Sequence, residues 1–202
     1  MPHRTDRQRI LRLARGRGVL SSRVAHQAGV HSQALSRMVQ EGTLERIARG
    51  QYRVVDALVS EHHGLAVAAA AVPHGVVCLL SALSFHGIGT QLPGAIWMAI
   101  DRRARRPALV YPPLHIVRVT GKALTEGIET HSIEGQGVRV YGVAKTVADA
   151  FKYRNKIGLE VALEALREAW RERRTTMDEI DHFARICRVE RVMGPYVEAL
   201  VA

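Results

Sequence analysis

Residues Ser21–Val54 read SSRVAHQAGVHSQALSRMVQEGTLERIARGQYRV, and the order of signals in this stretch decides the fold of the N-terminal region. Ser21 is a good helix N-cap, because its hydroxyl can accept from the free amides of a first turn. Val24, Ala25 and Ala28 then form a short apolar stripe, and Gly29 stands where a helix end tolerates a left-handed residue. Ser32 offers a second cap, opening a helix whose inward face is Leu35, Met38 and Val39. Its other face is Ser32, Gln33, Ser36, Arg37 and Gln40, all hydrogen-bonding side chains, with no acid before Glu41. After Gly42, Leu44–Ile47 and Gln51–Val54 read as two short strands joined around Ala48, Arg49 and Gly50. Helix, tight turn, helix and basic hairpin spell a winged helix-turn-helix. That geometry lays the second helix of the pair in a major groove and lets the hairpin reach the flanking backbone.

Charge follows the same boundary. Residues 1–55 hold eleven arginines against three acids (Asp6, Glu41, Glu45), a net of +8, whereas residues 56–202 carry only +2. A positive field concentrated on one small module suits a polyanion, through phosphate neutralisation and counterion release. A membrane surface fits less well, since the arginines lie on a capped globular module rather than an amphipathic helix with bulky apolar residues. Cys78 and Cys187 are the only cysteines; they form no disulfide framework and no C-x-x-C spacing, and two buried thiols in a reducing cytoplasm account for them. The N-terminus lacks the apolar core of a signal peptide. No Asp, Glu, Lys or Arg occurs between Glu61 and Asp101. Pro73-His74-Gly75 interrupts that segment, however, which reads as two short buried helices and not as a span.

In chain order, Thr5 and Gln8 have capping-box spacing for a first helix that buries Ile10, Leu13 and Ala14, stopped by Gly16 and Gly18. Residues 56–64 are the expected domain boundary or a connecting helix, and His62 and His63 read as ordinary polar residues. Leu65–Val72 and Val76–His86 are expected helices, Ala95–Ile100 a buried strand, and residues 101–107 (DRRARRP) an exposed basic loop. Leu114–Thr120 and Ile128–Glu134 alternate like half-exposed strands, and Gly135-Gln136-Gly137 turns the chain into Val138–Tyr141. From Ala144 the period becomes helical: Ala144, Val147, Ala148 and Phe151 share one face, Leu159, Ala162, Leu163, Leu166 and Trp170 another. Thr176 and Glu179 form a capping box, and a last helix presents Val192, Tyr196 and Leu200. The expected fold class is α+β. A winged helix-turn-helix domain at 1–56 precedes an α+β domain at 57–202 with a small mixed sheet and C-terminal helices.

Catalytic signatures are missing. No lysine has a carboxylate two residues before it, and there is no D-x-D, no phosphate-cradling G-x-x-x-x-G-K, no G-x-S-x-G and no H-E-x-x-H. Lys145 and Asp149, four apart, read most simply as an intrahelical pair; with Thr146 and Lys152 they alternatively line a recognition surface. Arg102, Arg103, Arg105 and Arg106 are a solvated loop or a second polyanion contact.

Three stretches resemble the AbiEi family of antitoxins from type IV toxin–antitoxin systems: GTLERIARGQYRV in the wing, VVCLLSALSFHGIGTQLPGAIWMAIDRRARRP, and GIETHSIEGQGVRVYGVAKTVADAFKYRNKIGLEVALEALREAW. The resemblance implies a bifunctional protein whose winged helix represses its own operon. Its second domain would counteract a nucleotidyltransferase-like toxin encoded beside it, without a tight complex. It carries over no catalytic residue, and no metal or cofactor is called for. The expected partner is therefore double-stranded DNA at the protein's own promoter, in the cytoplasm, with no membrane role. Ser32, Gln33, Ser36, Arg37 and Gln40 would face base edges; Arg46, Arg49 and Arg53 would hold phosphates or a minor groove, and Arg23 is a further expected DNA-binding residue. Two rivals are a one-component regulator whose second domain senses a small ligand, and a nucleic-acid-processing enzyme using Lys145 and Asp149.

Overall fold

The computed structural model describes residues 6–15, 19–55 and 60–201. The expected Thr5 cap, the Gly16 and Gly18 stop and residues 56–59 of the expected boundary lie outside them. The chain divides into two compact units. One comprises the described residues up to 74 with 107–113 and 131–138; the other comprises 75–106, 114–130 and 139 onward.

The first unit contains α1 (Asp6–Arg15), β1 (Leu20–Ser21), α2 (Ser22–Gln27), α3 (Ser32–Gln40), β2 (Leu44–Ala48), β3 (Gln51–Val54) and α4 (His63–Ala71). Ile10 and Ala14 from α1, Leu20, Ala25 from α2, Val30, Leu35 and Met38 from α3, and Leu44 close one core. Burying a side chain such as Leu35 removes enough apolar surface from water to contribute about 2 kcal/mol, which makes it the pin that fixes the rotation of α3. Ser21 caps α2 as the sequence reading expects, its Oγ accepting from the Val24 amide at 3.2 Å. Gly29, at φ +75°, makes the turn between α2 and α3 in a conformation that costs a side-chain-bearing residue about 1–2 kcal/mol.

Two features of this unit differ from the sequence reading. The cap position of α3 is His31, not Ser32, and it makes no side-chain capping bond; Ser32 is the first helical residue. The wing has a third strand: β1 pairs with β3, giving the order β1-β3-β2. A two-residue strand leaves no alternation to read.

The second unit carries β4 (Val76–Val77), α5 (Leu79–His86), β5 (Ile96–Asp101), β6 (Leu114–Val119), α6 (Lys122–Thr125), β7 (Ile128–Ile133), β8 (Gln136–Tyr141), α7 (Val143–Lys152), α8 (Arg154–Ile157), α9 (Leu159–Arg171), α10 (Met177–Cys187) and α11 (Glu190–Val201). Its sheet runs β6-β5-β4-β8-β7 and is mixed: β4 pairs antiparallel with β5 and parallel with β8, and β5 pairs parallel with β6. Residues 131–138, at the far end of the β7–β8 hairpin, group with the first unit. The fold is therefore α+β, with a winged module at its N-terminus.

The expected helix over Val76–His86 is corrected to a strand followed by a helix. Val76 and Val77 are both fully buried, and a strand covered on both faces shows no period-two pattern. The hairpin turn is Glu134-Gly135 and not Gly135-Gln136-Gly137. Both residues have positive φ (50° and 72°), as a two-residue hairpin turn with the strands' own twist requires. On α9 the buried face is Val161, Ala162, Ala165, Leu166 and Ala169, with Leu159, Leu163 and Trp170 half-buried at its margin. The small alanines let α7 approach closely, rotating the stripe away from the bulkiest residues. The Thr176–Glu179 capping box is present in full.

Candidate nucleic-acid interface

With Leu35 and Met38 turned into the core, α3 must present the opposite side to solvent, and Ser32, Gln33, Ser36, Arg37 and Gln40 are all exposed there. Their i, i+1, i+4, i+5, i+8 spacing is one face of a helix. Those side chains supply amide, hydroxyl and guanidinium groups of the kinds that pair with base edges in a major groove.

The wing is held to the helices by its own turn. Gly50, at φ +72°, turns β2 into β3, and its carbonyl accepts from the Ser22 amide at 2.7 Å. A Cβ at that position would meet Ser22 Oγ at 2.8 Å, so the turn sits directly against the start of α2. Arg46 and Arg49 are exposed on this hairpin, and Arg23 is exposed on α2. Arg53 is placed differently. It lies opposite Glu45 in the β2–β3 register, is half-buried, and its guanidinium is engaged by the Glu45 carboxylate.

Each of the module's acids is occupied. Arg7 bonds Glu41 at 2.5 Å and donates to Thr43 Oγ1 at 3.3 Å, Arg53 binds Glu45, and Asp6 lies 3.9 Å from Arg9. Among the described residues, Arg12, Arg23, Arg37, Arg46 and Arg49 form no ion pair. An open cleft of about 370 Å³ runs beside α3, lined by Asp6, Arg7, His31, Gln33, Arg37 and Glu41 among others. The Arg7–Glu41 pair at its edge reduces the repulsion that a phosphate near Arg37 would meet from Glu41.

The residues proposed for a second recognition surface separate. Arg102, Arg103, Arg105, Arg106 and Lys152 are exposed. Lys145 and Asp149 are not on a surface at all: they are 0 % and 5 % exposed, bonded to each other, and enclosed by the second unit's core. The physical reason is that α7 packs against α5, α9 and α10 and is buried around nearly its whole circumference, including Thr146. The Lys145 ammonium also lies 4.0 Å from the centre of the Tyr141 ring, and Cys187 Sγ donates to Asp149 Oδ1 at 3.2 Å. Burial, followed by the Asp149 charge, pushes the Cys187 thiol up to about 12 and raises Cys78 and Tyr141 well above their ordinary values. Among the described residues, no group of three or more His, Cys, Asp or Glu side chains is placed to hold a metal ion. Among the described residues, no helix is long and apolar enough to cross a membrane.

His63, read from sequence as an ordinary polar residue, has a specific role. Its Nδ1 lies 2.7 Å from Glu134 Oε2, while Ser60 donates its amide and its hydroxyl to Glu134 Oε1, both at 2.9 Å. No spacing signal marks partners that lie more than seventy residues apart.

Residues 8–55 match the family model described as "Transcriptional regulator, AbiEi antitoxin". No curated protein matches. Among solved structures, the chain resembles the crystal structure of RV2827C protein from Mycobacterium tuberculosis with a TM-score of 0.62 at 15% identity. That likeness covers 90% of this chain and 72% of the other, and it speaks to the fold alone.

Proposed function

We propose, from the match of residues 8–55 to the family model of AbiEi antitoxin transcriptional regulators, that this protein is a cytoplasmic repressor of its own operon. In this reading it binds duplex DNA at its promoter. It also serves as the antitoxin of a type IV system, opposing a nucleotidyltransferase-like toxin without holding it in a tight complex. The observation that carries the DNA reading is the acid-free exposed face of α3 beside a wing bearing Arg46 and Arg49. Ser32, Gln33, Ser36, Arg37 and Gln40 face base edges, and Arg23, Arg46 and Arg49 hold phosphates. Arg53 supports the wing through Glu45, acting on DNA only through the hairpin it braces.

The test is a gel-shift titration on the promoter fragment at several salt concentrations. Arg37→Ala costs about 1–3 kcal/mol of operator affinity and relaxes sequence preference if it reads a guanine. Arg49→Ala weakens all sequences alike and reduces the salt slope by about one. Unchanged binding by both variants removes the assignment of α3 and the wing to DNA. For the antitoxin half, co-expression with the toxin encoded beside the gene restores growth, and failure to rescue contradicts it.

A further inference from the structure

Glu41 ends the acid-free stretch of α3, and two cations can claim it. Arg37 stands one turn back on the same helix. The Glu41 amide still closes an α-helical bond onto the Arg37 carbonyl at 2.9 Å, so the two side chains leave the helix at i, i+4 spacing on one face. That is the spacing at which an arginine and a glutamate ordinarily pair. Here they do not. Glu41 Oε2 is taken instead by Arg7 Nη1, 2.5 Å away, and Arg7 Nη2 donates to Thr43 Oγ1 at 3.3 Å. Arg7 belongs to α1, 34 residues earlier, so a different helix supplies the partner of Glu41.

The exchange matters for what it leaves over. Arg37 is exposed and, among the described residues, forms no ion pair; it lines the same cleft of about 370 Å³ as Gln33. A carboxylate at the C-terminal end of a helix is opposed by the helix dipole and favours any cation within reach. Released by Arg7, Glu41 would turn to Arg37 and occupy the guanidinium that is otherwise available to a guanine edge. The Arg7 and Glu41 side chains are 55% and 41% exposed. Neither pairing is therefore strong, and removing one cation is enough to redirect the acid. Asp6, the other acid of the cleft, is held in the same manner, 3.9 Å from Arg9. In this way α1 occupies both acids and leaves α3 its arginine.

We propose that Arg7 is a positioning residue for the DNA contact: by holding Glu41 it keeps the Arg37 guanidinium out of an intrahelical pair and free for base edges. This rests on the reading of the winged module as the sequence-specific DNA contact. Because Arg7 acts through Glu41 and Arg37, its mark is a coupling between positions 7 and 41, visible in sequence preference as well as in affinity.

The experiment is a double-mutant cycle of Arg7→Gln and Glu41→Gln in the full chain, read by fluorescence anisotropy on the promoter fragment and on an unrelated duplex. Arg7→Gln weakens promoter binding about two- to fivefold per folded molecule and narrows the ratio between the two duplexes. Glu41→Gln adds more affinity in the Arg7→Gln protein than in the wild type, and R7Q/E41Q recovers the wild-type ratio. Arg7→Lys keeps a cation within reach of Glu41 and stays close to the wild type. In the free protein, the Arg37 side-chain Nε–Hε resonance moves in Arg7→Gln and returns in R7Q/E41Q. Strictly additive effects of the two substitutions, or an Arg37 resonance indifferent to Arg7→Gln, overturn the proposal. An equal loss on both duplexes that Glu41→Gln does not repair makes Arg7 a plain phosphate contact and also overturns it. If Arg37→Ala weakens promoter binding while Arg7→Gln does not, the winged-module reading stands and this inference alone falls. A wild type that binds neither duplex removes both together.

Discussion

Lys145 and Asp149 stand four residues apart on α7, a spacing worth a few tenths of a kcal/mol on a helix surface. Enclosed as they are here, with Lys145 fully buried, the balance changes. Removing one partner leaves an uncompensated charge in the core, which costs about 3–5 kcal/mol, whereas replacing both by apolar residues of similar size is close to neutral. Lys145→Met is therefore expected to unfold at markedly lower urea than the wild type. The pair K145M/D149L recovers most of that loss, and DNA affinity per folded molecule is unchanged in both. A Lys145→Met protein that keeps its stability but loses function would instead mark the pair as a working site. The thiol of Cys187, pushed up to about 12 by burial and by Asp149, stays protonated at neutral pH and is a poor nucleophile. At this scale the sequence was legible where geometry alone decides the outcome: Ser32, Gln33, Ser36, Arg37 and Gln40 had to share the face opposite Leu35. It was illegible where burial decides, because a lysine and an aspartate four apart are written identically on a surface and in a core.

Among the elements, the helices and hairpin of the winged module were legible, because turn glycines and a basic hairpin are local signals, whereas the His31 cap of α3 and the two-residue strand β1 were not. Val76–Val77 could not: its strand character comes from β5 and β8 on either side, and two valines carry no period. The clamp at the start of α4 was equally hidden. Glu134 there shows how such a contact responds to pH. Burial pushes its carboxyl up, but hydrogen bonds from His63 and Ser60 outweigh this and hold it below the usual carboxylate value of 4.5. A carboxyl depressed in the folded state stabilises fully above its unfolded value, and the contribution is lost as pH falls through the folded value. Glu134→Gln, which keeps the side-chain shape at this left-handed position, should cost about 1–2 kcal/mol at pH 7. Thermal melts should show the difference from wild type constant at pH well above the ordinary carboxylate value of 4.5 and shrinking as pH falls through the lower folded-state value. A gap that persists undiminished at low pH would mean that the charge of Glu134 contributes nothing.

For the molecule as a whole, the charge distribution is the feature that composition alone already locates. A net +8 sits on the first 55 residues and +2 on the rest, and the structure adds that the module's acids are occupied by Arg7, Arg9 and Arg53. Among the described residues, the arginines left to face a polyanion are Arg12, Arg23, Arg37, Arg46 and Arg49. The match of residues 8–55 to a regulator family and the exposed polar face of α3 point the same way. The central claim is that α3 enters duplex DNA. It is tested most directly by titrating isotope-labelled protein with the promoter duplex and following backbone amide shifts. The account predicts the largest changes at Ser32–Gln40 and at the wing turn around Arg49, with the buried amides of α7 unmoved. Shifts confined to the second unit, with Gln33, Ser36 and Arg37 unaffected at saturation, would contradict it.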